Sequence, residues 1–285
     1  MHRYVWLLAL AASFSASIHA VRAETPEERG AYLVETVAAC GNCHTPRGPD
    51  GAPLTGKALA GGVVIELPAF TAIGANITPD IETGIGGWSD AEIATAIREG
   101  KRPDGTLIGP PMPFNFYRHI SDRDMHAIVA YLRTVPAVAN EVPASEYRIP
   151  LPDAYGPPAT PVPEVPRDDK VAYGAYLAGP VGHCLECHTP RVGGHPDLEN
   201  RPGAGGMELP APGGGIVVAP NITPHSDKGI GSWSDAEIKT AITRGVRPDG
   251  TELAPVMAFA WYANMSEEDL DAIVAYLRTL KPVSH

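Results

Sequence analysis

Cysteine is scarce in this chain: four copies in 285 residues, at Cys40, Cys43, Cys184 and Cys187. A chain this long can bury its own core, so it has no need of the disulfide framework that holds small secreted domains together. Basic residues are in deficit, 22 Lys and Arg against 33 Asp and Glu, for a net charge of −11. That balance excludes a nucleic-acid or anionic-lipid surface and suits a basic patch on a protein partner. No segment keeps a two-residue apolar–polar alternation, which argues against a sheet. Beyond the first line, no apolar run approaches the ~20 residues of a membrane span. No acid, base or nucleophile is repeated beside the cysteines, which weighs against bond-making chemistry on the chain itself.

What is present is a motif written twice. "AACGNCHTPRG" occupies 38–48 and "GHCLECHTPRV" occupies 182–192, so all four cysteines belong to Cys-x-x-Cys-His-Thr-Pro-Arg. Paired Cys-x-x-Cys also builds zinc ribbons, but there the pairs are separated by roughly 12–20 residues and need no adjacent histidine. Cys-x-x-Cys-His is the signature of c-type haem attachment, with thioethers from both cysteines and the imidazole placed under the iron. The expected cofactors are two covalently bound haem c groups, on Cys40 and Cys43 and on Cys184 and Cys187, with His44 and His188 as iron ligands.

His2 and Arg3 precede the apolar run from Tyr4 to Ile18, and Val21-Arg22-Ala23 offers a small-residue cleavage site. Residues 1–23 therefore read as a signal peptide, the alternative being an uncleaved anchor. Their removal takes away Arg3 and Arg22 and no acid, carrying the charge to about −13. The expected location is the periplasm, with at most peripheral association with a membrane.

A longer repetition sets the domain plan. "NITPDIETGIGGWSDAEIATAIREGKRPDG" from Asn76 returns as "NITPHSDKGIGSWSDAEIKTAITRGVRPDG" from Asn221. The copies stay in register through "AIVAYLRT", with about three-fifths of positions identical, which is duplication of a whole domain. The expected organisation is domain 1 over 24–136, a proline-rich extended linker over 137–167, and domain 2 over 168–285. Capping signals predict a first helix after Thr25, a second from Ser89 to Gly100 and a last from Ser121 towards Pro136. Asp169, Ser234 to Gly245 and Ser266 repeat them, and the expected fold class is all-α.

Two such domains, with Gly-Ala-Tyr-Leu in each first helix and Ala-Tyr-Leu in each last, resemble tandem class I cytochrome c domains. The shared "NITP…GIG.WSDAEI…RPDG…M" resembles, more narrowly, the multihaem cytochrome c subunits of bacterial periplasmic alcohol, aldehyde, gluconate and nicotinate dehydrogenases. Many of those carry three haems, whereas this chain has sites for two. The resemblance implies electron transfer from a periplasmic dehydrogenase, as donor, to a terminal oxidase or another cytochrome in the respiratory chain. The alternative is a dihaem enzyme such as a peroxidase or thiosulfate dehydrogenase, which needs one open iron.

Only two methionines align between the copies: Met112 in "GPPMPFNFY" and Met257 in "APVMAFAWY". They follow the Arg-Pro-Asp-Gly turns, where class I cytochromes supply the sixth ligand, and are the expected axial partners of His44 and His188. Carbonyls near Pro46 and Pro190 are expected to orient the histidines. Arg102 and Arg247 are candidates for pairing with haem propionates, and Trp88 and Trp233 for pocket walls. Ordinary turn and core roles stand beside each of those assignments. His183 is expected at the rim.

Overall fold

The computed structural model describes residues 22–49, 51–211 and 214–284. Nearly all of the expected signal peptide lies outside the described residues.

The capping signals act where they were read. Helix α1 (Pro26–Tyr32) opens on Thr25, whose hydroxyl accepts from Glu28 N while the Glu28 carboxylate takes Thr25 N. It continues as a π-helical turn, Leu33–Val37, and after one reversal forms the single turn α2 (Gly41–His44). The hairpin β1 (Val64–Leu67) and β2 (Phe70–Ile73) follows. Then come α3 (Asp90–Glu99), α4 (Phe114–Tyr117) and α5 (Asp122–Thr134), with the short strand β3 (Glu146–Tyr147) in the proline-rich stretch. The second copy repeats the plan: α6 (Lys170–Tyr176), the π-helical turn Leu177–Val181, and α7 (Cys184–Cys187). It continues with β4 (Arg191–Val192), β5 (His195–Pro196), β6 (Glu208–Pro210), β7 (Ile216–Val218), α8 (Asp235–Arg244), α9 (Phe259–Tyr262) and α10 (Glu267–Thr279). Gly100 and Gly245 stop α3 and α8 in the left-handed conformation, at φ 64° and 65°.

The all-α expectation fails. Only 33% of the structure is helical, and antiparallel strands form three small sheets: β1-β2-β3, β4-β5 and β6-β7. None of these strands exceeds four residues. A strand that short, set in Gly/Pro-rich loops, cannot write an alternation long enough to be read. The β-branched residues Val64, Ile65, Thr71 and Ile73 still suit extended pairing once the chain folds back at Pro68-Ala69.

Within each copy the first helix crosses the last, α1 on α5 and α6 on α10. The crossings are close because each has a glycine in contact: a Cβ on Gly30 would overlap the carbonyl of Ala127, and one on Gly174 that of Ala272. The last helix also clamps the loop ahead of the second helix. Arg133 pairs with Asp90 at 2.9 Å and donates to the Trp88 carbonyl; Arg278 does the same with Asp235, at 2.9 Å, and Trp233.

The two copies share one core. Leu33, Val34, Val37, Leu177 and Val181 are fully buried in a single apolar cluster. Across it, α4 packs on the turn Leu177–Val181 and α9 on the turn Leu33–Val37, a reciprocal arrangement about an approximate two-fold axis. Tyr32 donates to Asp269 (2.7 Å) and accepts from Ser266 N (3.1 Å); its repeat mate Tyr176 donates to Asp124 (2.7 Å) and accepts from Ser121 N (3.2 Å). Each tyrosine thus completes the N-terminus of the other copy's last helix. The symmetry breaks at this junction: Arg29 grips Asp124 through two bonds of 2.9 Å and reaches Tyr173 OH at 3.1 Å, while Tyr173 occupies the position equivalent to Arg29.

Candidate functional site: two Cys–His turns facing one interface

Both motifs are built by the same backbone device. The residue before the first cysteine is left-handed, Ala39 at φ 48° and His183 at φ 40°. That conformation is costly for a side chain with a Cβ. It redirects the chain into one helical turn, in which His44 N bonds Cys40 O (2.9 Å) and His188 N bonds Cys184 O (3.0 Å). Residues at i, i+3 and i+4 of one turn share a face, which gathers each Cys, Cys and His on one side. Thr45 and Thr189 brace the exit, accepting from Leu59 N (3.0 Å) and Gly203 N (3.2 Å). That is the structural use of the Thr in each Cys-His-Thr-Pro.

The histidine partners are not the carbonyls near Pro46 and Pro190. His44 Nδ1 meets Ala75 O at 2.7 Å and His188 Nδ1 meets Pro220 O at 2.8 Å. The Pro46 and Pro190 carbonyls instead accept from Leu54 N and Asp197 N in their own loops. The partners come from far downstream because the next residue of each loop, buried Asn76 or half-buried Asn221, organises it. Asn76 receives Thr78 N and OH on its carbonyl and donates to Val138 O at 2.8 Å; Asn221 treats Thr223 and Val283 O alike, the last at 2.7 Å. With Nδ1–H donated to a carbonyl, each ring keeps its Nε2 lone pair for a ligand bond. Burial pushes the pKa of both histidines below the usual value, against the opposing pull of that backbone bond.

No disulfide joins the cysteines. Burial raises their thiols, to about 12 for Cys40 and Cys187, about 11 for Cys184, and upward for Cys43. Protonated thiols are not the reactive thiolates of a redox Cys-x-x-Cys. Among the described residues no three His, Cys, Asp or Glu side chains gather as a metal site. Half-buried, unpaired sulfurs beside an imidazole with a free Nε2 are the donor set that a covalently attached haem requires.

Met112 and Met257 are both half-buried against the shared core. They have the same local setting: their carbonyls accept from Phe114 N (3.0 Å) and Phe259 N (2.9 Å), at the entrances of α4 and α9. Trp88 and Trp233 also pack partly buried on that core. Arg102 turns back on its own loop, donating to Leu107 O at 2.9 Å. Arg247 sits in the equivalent turn, where its backbone N bonds Thr251 O at 2.9 Å.

Sequence reasoning passed over the residues between the two turns. Tyr117 stands edge-on to His183 of the other copy, 5.7 Å between centroids, so His183 faces the interface. Tyr117 and Tyr262 are almost fully buried, and both phenols are pushed far up, first by burial and then by neighbouring cysteines, for Tyr262 of both motifs. The indole of Trp261 lies over Gly41, with the Arg47 guanidinium 5.4 Å from its centroid. The repeated Tyr in "FNFY" and "FAWY" was the available signal.

Compared with known proteins, the chain matches the family model for cytochrome c twice, over residues 27–136 and 171–281. The chain belongs to the cytochrome c family. This cytochrome is 34% identical, over 98% of its length, to the cytochrome c subunit of the quinone alcohol dehydrogenase of Gluconobacter oxydans, and covers 60% of that protein. It is 32% identical, over 88% of its length, to the cytochrome subunit of the fructose dehydrogenase of Gluconobacter japonicus, covering 52% of it. It is 30% identical, over 86% of its length, to a diheme cytochrome c-type protein of Cereibacter sphaeroides, covering 82% of it. The chain spans about three-fifths of the length of the alcohol dehydrogenase subunits it matches. With two cytochrome c domains, the chain carries two covalently bound haems. No helix among the described residues is long and apolar enough to cross a membrane.

Proposed function

We propose that this cytochrome takes electrons from a periplasmic dehydrogenase and passes them to a terminal oxidase or another cytochrome. In this reading Cys40, Cys43, Cys184 and Cys187 are the thioether sites, and His44 with Met112 and His188 with Met257 are the axial pairs. The boundaries near 136 and 168 mark the two haem domains. Each haem, when bound, supplies a one-electron couple with little change in its surroundings. The observation that carries the proposal is the pair of Cys–His turns set on one rigid core and facing a common interface. The carbonyls of Ala75 and Pro220 hold the imidazole rings in place, and buried Tyr117 and Tyr262 exclude water between the motifs. Rigid, dry surroundings lower the reorganisation that accompanies a change of charge. That environment suits a carrier better than a bond-making centre.

The test is reduction by a candidate donor such as a quinone-linked alcohol dehydrogenase. Rapid reduction of the purified cytochrome is expected, slowing at least several-fold between low and physiological salt, since the acidic surface steers encounter. Salt-independent transfer together with copurification would mark a fixed subunit. Fast turnover of peroxide or thiosulfate by the isolated cytochrome would overturn the carrier reading.

Ligation has its own test. In Met112→Ala, about half of the near-infrared sulfur-to-iron band should disappear and one of the two reduction potentials should fall, because methionine opposite histidine raises the potential. An unchanged spectrum would assign the ligand elsewhere.

A further inference from the structure

The two Cys–His turns are copies of one motif, so a difference between them isolates what a single residue adds. The first reads Cys40-Gly41-Asn42-Cys43 and the second Cys184-Leu185-Glu186-Cys187. An amide thus stands between the cysteines of the first motif where a carboxylate stands in the second. The arginine that closes each motif is common to both and reaches the same way. Arg47 donates to Gly51 O at 3.0 Å and to Asn42 Oδ1 at 2.7 Å. Arg191 donates to Gly194 O at 2.7 Å and lies 3.8 Å from the Glu186 carboxylate. The arginines cancel in the comparison. One negative charge on the second motif is left over.

That charge is not a solvated one. The Glu186 side chain is 20% exposed and lies 3.5 Å from His183 Nδ1, and the His183 ring stands edge-on to Tyr117 of the first copy. Glu186 therefore sits on the side of α7 that faces the shared interface. Burial comes first among the causes that raise the Cys43 thiol and the Tyr117 phenol, and the Glu186 carboxylate adds to both from the other copy. Arg47 pulls Cys43 the opposite way. Between the motifs, buried Tyr117 and Tyr262 leave no water to screen the field.

A ferric haem carries one positive charge more than a ferrous one, so a nearby carboxylate favours the oxidised form and lowers the potential. Asn42 and Glu186 each lie between the two thioether positions of their own motif, and each acts first on the haem attached there. We propose that Glu186, standing where the first motif has Asn42, sets the second haem at a lower potential than the first and so directs electrons within the chain from the second copy to the first. The proposal rests on the electron-transfer reading. In the step the second iron is oxidised by one electron and the first is reduced by one, with no bond made or broken. Glu186 acts through its field alone and is a positioning charge.

The test is an equilibrium redox titration of the haem-loaded cytochrome at pH 7, followed by visible absorbance, which should resolve two one-electron potentials. Glu186→Gln should strengthen electron binding at the lower-potential couple by about tenfold, about 59 mV for one electron. The higher couple should gain about threefold, since the charge acts on it from across the interface. Asn42→Asp should weaken the higher couple by about tenfold, and the two potentials should draw together. Glu186→Asp keeps the charge and should stay within about twofold of the parent. His183→Ala, which writes the first motif's alanine into the second, should leave the order of the potentials unchanged. Haem content and the visible spectrum of each variant check that the motifs are intact. Potentials unmoved by Glu186→Gln, or a shift mainly in the higher couple, would overturn the proposal. So would a Glu186→Asp shift as large as that of Glu186→Gln, which would make the role one of shape instead of charge, or a reversed order in His183→Ala. These potentials are measured without any partner. Failure of the electron-transfer reading would show separately, as absent reduction by the dehydrogenase.

Discussion

Alanine at Gly174 is expected to destabilise the cytochrome by about 3 kcal/mol, and alanine at Gly30 by a similar amount. Helix propensity alone predicts the opposite sign, since alanine is better than glycine in a helix interior by about 1 kcal/mol. The packing decides the outcome. A Cβ on Gly174 would overlap the Ala272 carbonyl and press on Tyr276 Cβ; one on Gly30 meets Ala127 and Tyr131 in the same way. Backbone cannot give way as a flexible side chain does, so the first and last helices must separate. Because both copies share one apolar cluster, each variant should lower a single urea transition rather than split it in two. Denaturation followed by haem absorbance and by circular dichroism checks this. A variant as stable as the parent would mean that the helices do not cross at these glycines.

Repeat-equivalent acids should respond in opposite directions. Asp124 and Asp269 lie in the first turn of the last helix of their copy, where each donates its backbone N–H to the capping serine, and both accept from a tyrosine of the other. Burial pushes the Asp124 carboxyl up, but the bonds from Arg29 outweigh it and the pKa ends below its ordinary value. Asp269 lacks such a cation; burial dominates over the Tyr32 bond, and its pKa ends above the ordinary value. The linkage signs follow. The Asp124 contribution is present above the unfolded-state pKa and is lost as pH falls through the lower folded value. The Asp269 contribution is present below the unfolded-state pKa and is lost as pH rises through the higher folded value. At neutral pH, Asp124→Asn leaves the Arg29 guanidinium buried without its anion and is expected to cost about 3 kcal/mol. Asp269→Asn removes a charge that burial disfavours and should be neutral or stabilising. Urea midpoints at pH 7 for the two variants make the comparison, and equal losses would sink the asymmetry.

Much of the fold was legible along the chain. Thr25, Ser89, Ser234 and Ser266 start helices because capping is local: the side chain that accepts and the N–H that donates lie three residues apart. The strands were not legible. Strand β3 joins β1 and β2 from far along the chain, beyond three intervening helices and the start of the proline-rich stretch, and none of the three strands is long enough to write a period. The second copy made the duplication plain, and with it the pairing of Met112 with Met257.

By itself the sequence determined the chemistry: Cys-x-x-Cys-His twice, no other cysteine, and hence two covalent haems on a duplicated chain. Covalent attachment needs only neighbours on one helical turn, and neighbours on one turn are neighbours in the sequence. What only the tertiary structure decided depends on contacts between distant segments. Ala75 and Pro220, not the carbonyls near Pro46 and Pro190, orient the histidines, because a carbonyl carries no side-chain signature and its aim is set by the loop that Asn76 or Asn221 organises. Tyr117, Tyr262 and Trp261 stand between the motifs, because the packing of α4 and α9 across the shared core puts residues of one copy against the other. The Arg29–Asp124 pair is a difference between copies whose sequences align closely. It arises where one repeat's side chain meets a partner that the other repeat does not supply.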